Sequence, residues 1–177
     1  AEAYCNMGAS QNDKGDLDAA IGSYKRAIKI KPHYADAHSN MGNTLKENGD
    51  FDAAIDNYRQ AIKINPSYAE AYCNMGNALQ QKGQLNAAID SYKQATKIKP
   101  DYAKAYYNMG AALQEQNEIT ASINNYKKAI KIKPDYAEAF NNMGTSLQQI
   151  DELGLAIKSY EQAIKIKPDF AEAFNNM

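Results

Sequence analysis

The residues Asn6-Met7-Gly8 begin a pattern that recurs as Asn40-Met41-Gly42 and again at 74–76, 108–110 and 142–144. Each copy lies 34 residues after the one before, without insertion or deletion, and the chain ends on Asn176-Met177. A strict period of this length indicates an array in which each repeat is one supersecondary unit. The sequence therefore predicts a single array with complete repeats at residues 1–34, 35–68, 69–102, 103–136 and 137–170, followed by residues 171–177 as the truncated start of a sixth.

The composition limits the functional classes. Hydrophobic residues make up 44% of the 177 residues, enough for a core, and the formal net charge of -1 gives no bulk attraction to nucleic acid or to a membrane surface. No apolar run approaches the roughly 20 residues of a transmembrane helix. Cys5 and Cys73 lie two repeats apart, too far for a disulfide, so we expect free thiols. We expect a cytoplasmic protein and a fragment of a longer array, whose targeting signals can lie elsewhere.

Glycine and proline divide each repeat into two helices. In repeat one we expect a first helix over residues 2–14 and a second over residues 17–31, because Gly15 favours the left-handed conformation that ends a helix and Pro32 prevents continuation. Apolar residues recur in both segments with the helical period of 3.6 residues. The pattern predicts an all-α protein.

Some turns and helix starts depart from this layout. Asn117 replaces the turn glycine in repeat four and tolerates the left-handed conformation, so we expect that turn to survive. Residues 150–152 form the turn of repeat five, where we expect a modestly strained or altered geometry. Ser67 and Glu70 have the spacing of a capping box at a helix start. The same spacing, with aspartate as the first residue, occurs at 135–138 and 169–172.

The glycine and methionine of the motif have different expected roles. Glycine inside a helix costs about 1 kcal/mol relative to alanine, so its presence in all five repeats indicates that a second helix passes too close for a methyl group. The six methionines all occupy the seventh position of a repeat, and this regular helical placement predicts core packing rather than a metal or redox cluster.

Six positions recur in register from repeat to repeat. In repeat one they are Tyr4, Gly8, Ala20, Tyr24, Ala27 and Pro32. Repeat two has His38 at the fourth position, and repeat four has Ser122 at the twentieth. With this pattern the chain resembles the tetratricopeptide repeat family over its whole length. The resemblance implies a right-handed superhelical solenoid of antiparallel helix pairs, in which the first helices line a concave groove and the second helices form the outside.

Within that family the chain is similar to the repeat arm of O-linked N-acetylglucosamine transferases and related bacterial proteins, which also carry Asn, an apolar residue and Gly at these positions. The resemblance implies a ladder of asparagines that faces the groove and binds the backbone of an extended polypeptide. The matching residues are Asn6, Asn40, Asn74, Asn108, Asn142 and Asn176. Other members clamp a carboxylate tail with a lysine at the fifth position and an arginine at the sixth. Here the fifth position holds Cys5, Ser39, Cys73, Tyr107 and Asn141, and the sixth is always asparagine, which excludes such a clamp.

Asparagine suits a backbone-binding role because it offers both a carbonyl acceptor and an amide donor to a peptide unit. The alternative is that each asparagine bonds to a neighbouring helix inside the array. Further polar candidates for peptide binding on the first helices are Asn43, Asn77, Gln80, Tyr107 and Gln114.

Charges on the first helices indicate the chemistry of the partner. At the second, twelfth and thirteenth positions eight carboxylates stand against Lys46 and Lys104, a net charge of -6. We therefore expect an acidic groove whose partner is neutral to basic, held weakly and with a dependence on salt.

No residue pattern in the sequence indicates a catalytic or metal-binding site. His33 and His38 lack further ligands at metal-binding spacing, and no glycine-rich phosphate loop or nucleophile pair is present. Lysines crowd the end of each second helix, where they oppose the helix dipole and, without interleaved aromatic residues, form solvated surface. We expect a non-enzymatic interaction scaffold without metal or cofactor, which binds a protein or extended peptide and neither nucleic acid nor membrane. Two alternatives stay open: the substrate-recognition arm of a larger glycosyltransferase, and a module that associates end to end with itself.

Overall fold

The computed structural model describes residues 1–177 and contains eleven α-helices and no strand. Their bounds are α1 Glu2–Asp13, α2 Leu17–Ile30, α3 Ala35–Glu47, α4 Phe51–Ile64, α5 Ala69–Gln81, α6 Leu85–Ile98, α7 Ala103–Glu115, α8 Ile119–Ile132, α9 Ala137–Gln149, α10 Leu153–Ile166 and α11 Ala171–Asn176. The predicted all-α class is confirmed. None of the helices combines the length and the apolar character that crossing a membrane requires.

The chain forms two compact units. The N-terminal unit, residues 1–98, holds the hairpins α1/α2, α3/α4 and α5/α6. The C-terminal unit, residues 99–177, holds α7/α8, α9/α10 and the short helix α11. In repeat one, α1 and α2 each end one residue before the predicted position. That the five repeats act as a single array stays a prediction.

The glycine of the repeated motif faces an aromatic ring of its own hairpin. A Cβ atom added to Gly8 would lie 2.7 Å from Cε1 of Tyr24, and one added to Gly76 would lie 2.5 Å from Cε1 of Tyr92. The five pairs are Gly8/Tyr24, Gly42/Tyr58, Gly76/Tyr92, Gly110/Tyr126 and Gly144/Tyr160. The predicted close approach is confirmed, and the neighbour is a buried tyrosine ring of the second helix.

One residue in each hairpin turn adopts the left-handed conformation. Gly15 has φ of 80°, while Asn117 and Asp151 have φ of 63° and 62°. The turn at Asn117 therefore survives, as predicted. In repeat five Asp151 takes the conformation that glycine takes elsewhere, and the altered geometry lies at Ile150, whose φ of -109° differs from the -86° of Lys14. A β-carbon at Asp151 makes this turn more strained than a glycine turn.

The predicted capping boxes are wrong. Helix α5 begins after Tyr68, and the Ser67 hydroxyl donates to Oδ1 of Asn65 at 2.8 Å instead of accepting a helix N–H. Helices α9 and α11 likewise begin after an aromatic residue, Tyr136 and Phe170, and have no side-chain cap. The sequence pattern misplaced the helix start by one residue, because the aromatic residue that closes each repeat is the last non-helical residue.

The methionines pack in the core only where helices lie on both sides. Met109 and Met143 are buried, and Met41 and Met75 are half-buried. Met7 and Met177 expose 38% and 57% of their surface, so the core prediction is wrong for these two. Met7 lies in α1, which contacts only α2 and α3, and Met177 lies just past the end of α11.

The first helices lie on the inside of each unit. In the N-terminal unit α1 contacts α3 and α3 contacts α5, whereas α2, α4 and α6 do not contact one another. In the C-terminal unit α7 contacts α9 and α9 contacts α11, whereas α8 does not contact α10. Closer spacing of first helices makes their side concave. We call the solvent-facing side of the first helices in each unit its inner face.

Apolar side chains are exposed at the end of the C-terminal unit. Ile123 of α8 is buried in a cluster with Met143 and Leu147 of α9. Its equivalent in repeat five, Ile157, exposes 44% of its surface because α11 covers less of α10. The large apolar residues exposed in this region are Ile150, Leu153, Leu155, Ile157, Phe174 and Met177.

Candidate functional site

The ladder asparagines occupy equivalent places on the first helices. Asn6 and Asn176 are exposed. The other four, Asn40, Asn74, Asn108 and Asn142, are half-buried. Their side chains contact the neighbouring first helix, as Asn40 does with Cys5 and Asn142 with Tyr107. On these contacts we assign the ladder to the inner faces, three residues in each unit.

In the N-terminal unit the ladder amides of Asn40 and Asn74 are anchored through nitrogen. Asn40 Nδ2 lies 3.7 Å from Sγ of Cys5, and Asn74 Nδ2 donates to Oδ1 of Asn43 at 3.0 Å. The Oδ1 atoms of Asn40 and Asn74 accept no hydrogen bond from the protein. Each of these side chains is thus oriented by the repeat before it, while its carbonyl oxygen stays available to a ligand donor.

In the C-terminal unit the amides bond to one another in a chain. Asn176 Nδ2 donates to Oδ1 of Asn141 at 3.2 Å, and Asn141 Nδ2 donates to Oδ1 of Asn142 at 3.3 Å. Asn142 Nδ2 then donates to the Tyr107 hydroxyl at 3.0 Å. Here the carbonyl oxygen of the ladder residue Asn142 is already occupied by the protein.

Tyr107 is the largest predicted site residue on the inner face of the C-terminal unit. Its ring centroid lies 5.8 Å from that of Tyr126 and 4.9 Å from that of Tyr136. Burial raises the pKa of Tyr107, and the nearby Glu138 carboxylate adds to the rise. The hydroxyl is therefore neutral at physiological pH and serves as the acceptor that orients Asn142.

The other predicted polar residues bond to the buried tyrosines of their own hairpins. The Tyr58 hydroxyl donates to Oδ1 of Asn43 at 2.7 Å. The equivalent bonds join Tyr92 to Asn77 at 2.8 Å and to Gln80 at 2.9 Å, and Tyr126 to Gln114 at 3.0 Å. The oxygens of these four amides therefore accept hydrogen bonds inside the array, as the alternative interpretation of such polar residues predicted.

The sequence analysis did not predict that these tyrosine hydroxyls bond to the amides of the first helices. A signal was present, because the amide and its tyrosine are separated by 15 residues in Asn43/Tyr58 and by 12 in Gln114/Tyr126. Burial raises the pKa of Tyr24 to about 12, and it also raises the pKa values of Tyr58 and Tyr126. These phenols stay neutral, and the hydroxyls of Tyr58 and Tyr126 hold the amides of Asn43 and Gln114 in place.

The eight carboxylates counted on the first helices are all exposed. They are Glu2, Asp13, Asp36, Glu47, Glu70, Glu115, Glu138 and Glu172. Among them Asp36 accepts a hydrogen bond from the Tyr68 hydroxyl at 3.0 Å, and Glu47 accepts one from Nδ2 of Asn12 at 2.9 Å. Because both donors are uncharged, these hydrogen bonds do not neutralise the two exposed carboxylates.

The lysines at the ends of the second helices lie over aromatic rings, contrary to the expectation that aromatic residues are missing there. Lys31 Nζ lies 4.8 Å from the ring centroid of Tyr34, and Lys133 Nζ lies 4.7 Å from that of Tyr136. The pairs Lys99/Tyr102 and Lys167/Phe170 repeat this geometry. The aromatic residue that precedes each following first helix is three residues away, a spacing the sequence contained.

Neither histidine belongs to a group of metal-ligating side chains. His38 contacts its own hairpin and the preceding connection, with Nδ1 3.4 Å from Oδ1 of Asn57 and Nε2 3.2 Å from the carbonyl oxygen of Pro32. No group of three or more His, Cys, Asp or Glu side chains lies close enough to hold a metal ion. Cys5 and Cys73 are both buried free thiols.

The sequence and structure both match known repeat proteins. A family model described as "TPR repeat" matches residues 8–49, 42–83, 76–117 and 113–151, and one described as "Tetratricopeptide repeat" matches residues 137–170. No curated protein matches the sequence.

Several solved structures have a similar fold. The crystal structure of MamA is 28% identical with a TM-score of 0.85, over 94% of this chain and 97% of that chain. YrrB, described as a TPR protein with an unusual peptide-binding site, is 20% identical with a TM-score of 0.79, over 97% of this chain and 89% of its own. PilF of Pseudomonas aeruginosa is 18% identical with a TM-score of 0.84, over 99% of this chain and 87% of its own. Because the family models together match nearly all of the residues, the chain belongs to the tetratricopeptide repeat family.

Proposed function

We propose that the chain is a protein interaction scaffold that holds an extended, neutral to basic segment of another protein on its inner faces. One observation carries the proposal: Asn40 and Asn74 are fixed through nitrogen by the preceding repeat, yet their Oδ1 atoms accept nothing from the protein. A fixed acceptor can bind a peptide N–H without a large loss of side-chain entropy. YrrB, which has a similar fold, is described as a TPR protein with an unusual peptide-binding site, and this description supports such a role.

The exposed carboxylates set the charge of the partner. Because the first helices carry eight acidic residues and few lysines at the inner positions, a lysine- or arginine-bearing segment gains attraction there. Both partners' charges are solvated, so the gain is modest and falls as salt screens it. The backbone contacts of the asparagines then determine register, and the carboxylates determine which sequences are preferred.

Fluorescence anisotropy with extended peptides tests the proposal. A peptide library selected on the immobilised chain supplies the basic peptide, and its binding is measured for the chain and for Asn40→Ala combined with Asn74→Ala. Loss of two hydrogen bonds is expected to weaken binding about tenfold. Gln94→Ala combined with Asn124→Ala, which removes two exposed amides from second helices, is the control and should leave affinity unchanged. Equal affinity of the inner-face variant and the parent chain would remove the asparagines from the site.

Self-association is a second candidate, favoured by the apolar residues exposed on α10 and α11. Leu153, Ile157 and Phe174 expose 52%, 44% and 50% of their surface, which is a surface that a second copy can cover. Sedimentation velocity over a hundredfold concentration range distinguishes the two candidates. A mass that stays monomeric at all concentrations eliminates self-association.

The alternative that the chain is the substrate-recognition arm of a glycosyltransferase rests on the asparagine pattern alone. Sequencing the parent gene tests it, because this alternative requires a catalytic domain elsewhere in that gene.

A further inference from the structure

A cleft on the second-helix side of the C-terminal unit has a chemistry opposite to that of the inner face. It has a volume of about 390 Å³ and is lined by Pro100, Tyr106, Lys128, Lys131 and Ile132. Tyr106 comes from α7, and the two lysines come from α8. Lys128 Nζ lies 5.4 Å from the ring centroid of Tyr106. The cleft thus combines an apolar floor with two ammonium groups.

The charge of α8 is not balanced by carboxylates. The helix carries Lys127, Lys128 and Lys131, all exposed, and no acidic residue. In the equivalent helices of repeats two and three, an aspartate three residues earlier pairs with the cation at the position of Lys127. These pairs are Asp56 with Arg59 at 3.1 Å and Asp90 with Lys93 at 3.2 Å. In α8 the aspartate is replaced by Asn124, and none of its lysines forms an ion pair.

Repeat two contains an equivalent cleft with one lysine instead of two. Its lining includes Pro32, His38, Gln60, Lys63 and Ile64, again with a volume of about 390 Å³. Gln60 stands at the position of Lys128, and His38 at that of Tyr106. Because the hairpin folds in the same way with glutamine at this position, Lys128 is not needed for packing. Of these two clefts, only the one in repeat four has two lysines in its lining.

We propose that the cleft of repeat four binds an acidic segment of a partner protein, with carboxylates against the ammonium groups of Lys128 and Lys131 and an apolar side chain on Tyr106 and Pro100. Two cations beside an aromatic face favour a ligand that has negative charge and an apolar group a few bonds apart. Asp or Glu next to Leu or Phe in a peptide has this combination. The site is separate from the inner face, and the two surfaces select partners of opposite charge.

The test uses a labelled peptide that is rich in Asp and Glu and contains one Leu. Its binding is measured by fluorescence anisotropy at low salt and compared with that of a peptide of the same length in which Asn and Gln replace the acidic residues. Lys128→Gln combined with Lys131→Gln should weaken binding of the acidic peptide by about tenfold, since two ionic contacts are lost. Lys158→Gln combined with Lys165→Gln removes the same charge from α10 of the same unit and is the matched control, expected to stay within about twofold. Gln60→Lys should create a second site on repeat two and raise the stoichiometry.

Several results would overturn the proposal. One is equal binding of the acidic peptide to the parent chain and to the Lys128/Lys131 variant, and another is an equal loss in the control variant. Stronger binding of single-stranded DNA than of the acidic peptide would assign the cleft to nucleic acid. Self-association that is lost in the Lys128/Lys131 variant would assign it to the acidic inner face of a second copy. Because the basic peptide is affected by Asn40 and Asn74 and the acidic peptide by the lysines, failure of one proposal is distinguishable from failure of the other.

Discussion

The two units use the same ladder asparagines in different ways. In the N-terminal unit Asn40 is held by a weak contact to Cys5, and its carbonyl oxygen remains available. In the C-terminal unit Asn142 accepts from Asn141 and donates to Tyr107, so both ends of the amide are engaged. The difference lies in the preceding residue, which is Ser39 before Asn40 and Asn141 before Asn142, because only Asn141 donates to the ladder oxygen that follows it. One neighbouring residue thus determines whether a recurring amide can bind a ligand or is retained by the fold.

The largest expected effect is the response of the buried tyrosines to alkali. Burial raises the pKa of Tyr24 to about 12 and raises those of Tyr58 and Tyr126, while an unfolded tyrosine titrates near 10. Below pH 10 both states are protonated and the stability contribution is fully present. Above it the unfolded state loses protons first, so stability falls as pH rises from about 10 toward 12. We expect helical circular dichroism to be lost in this interval.

Phenylalanine variants show which unit contributes to the alkaline loss. Tyr58→Phe in the N-terminal unit and Tyr126→Phe in the C-terminal unit should each make the decline of unfolding free energy between pH 10 and 12 shallower, because one ionisable phenol is removed. Absorbance of tyrosinate at 295 nm follows the same transition. If the unfolding free energy of both variants falls as steeply with pH as that of the parent chain, these two phenols do not cause the loss of stability.

The second effect is the filling of the space beside the motif glycine. Gly76→Ala places a methyl group 2.5 Å from the ring of Tyr92, and Gly144→Ala places one 2.6 Å from the ring of Tyr160. After the gain in helix propensity we expect a net destabilisation of about 2 kcal/mol for each, measured by urea unfolding. The control is Gly154→Ala in α10, where nothing lies within 4 Å of the new atom. It should stabilise by up to about 1 kcal/mol. Equal effects of the three would contradict the packing argument.

The third effect compares ligand binding by the two units. Asn40→Ala with Asn74→Ala removes two available acceptors, whereas Asn141→Ala with Asn142→Ala removes two amides whose oxygens already accept hydrogen bonds from the protein. We expect the first pair to weaken binding of a basic extended peptide at least about fivefold more than the second. The second pair should instead lower the thermal midpoint, because it breaks the amide chain that ends at Tyr107. Equal losses of affinity would show that the internal bonds open when the peptide binds.

The smallest effect concerns a buried acceptor on the second-helix side. Asn125 Nδ2 donates to the carbonyl oxygen of Ala121, but its Oδ1 is buried without a partner. The serine at this position in repeat three, Ser91, satisfies the equivalent carbonyl at 2.8 Å and leaves no orphan. Asn125→Ser is expected to stabilise the chain by about 0.5 to 1 kcal/mol in urea unfolding. Asn57→Ser is the matched control, because Asn57 Oδ1 already contacts His38 at 3.4 Å, and it should show no gain.

In most cases the predictions succeeded where the residues that determine a feature are close together in the sequence, and failed where they are far apart. Gly15 and Asn117 set a turn through their own φ angles, so the sequence located both turns. The capping box at Ser67 failed because Tyr68 is the last residue before α5 and a competing acceptor, Asn65, lies two residues from the serine. The inner-face amides were correctly placed on first helices, but the sequence could not show that Tyr58 occupies the oxygen of Asn43. That contact joins two helices whose relative rotation no local pattern determines.

By itself the sequence determined the 34-residue period, the helix bounds to within about a residue and the need for a small residue at Gly8, because these follow from local backbone preference and from a repeated steric constraint. Only the tertiary structure decided that a tyrosine ring fills the space beside that glycine, which amide oxygens remain available, and that Lys128 and Lys131 meet Tyr106 in one cleft. The physical reason is the same in each case. Hydrogen bonds and ring contacts depend on side-chain positions to within about half an ångström, and those positions are set by the packing of neighbouring helices.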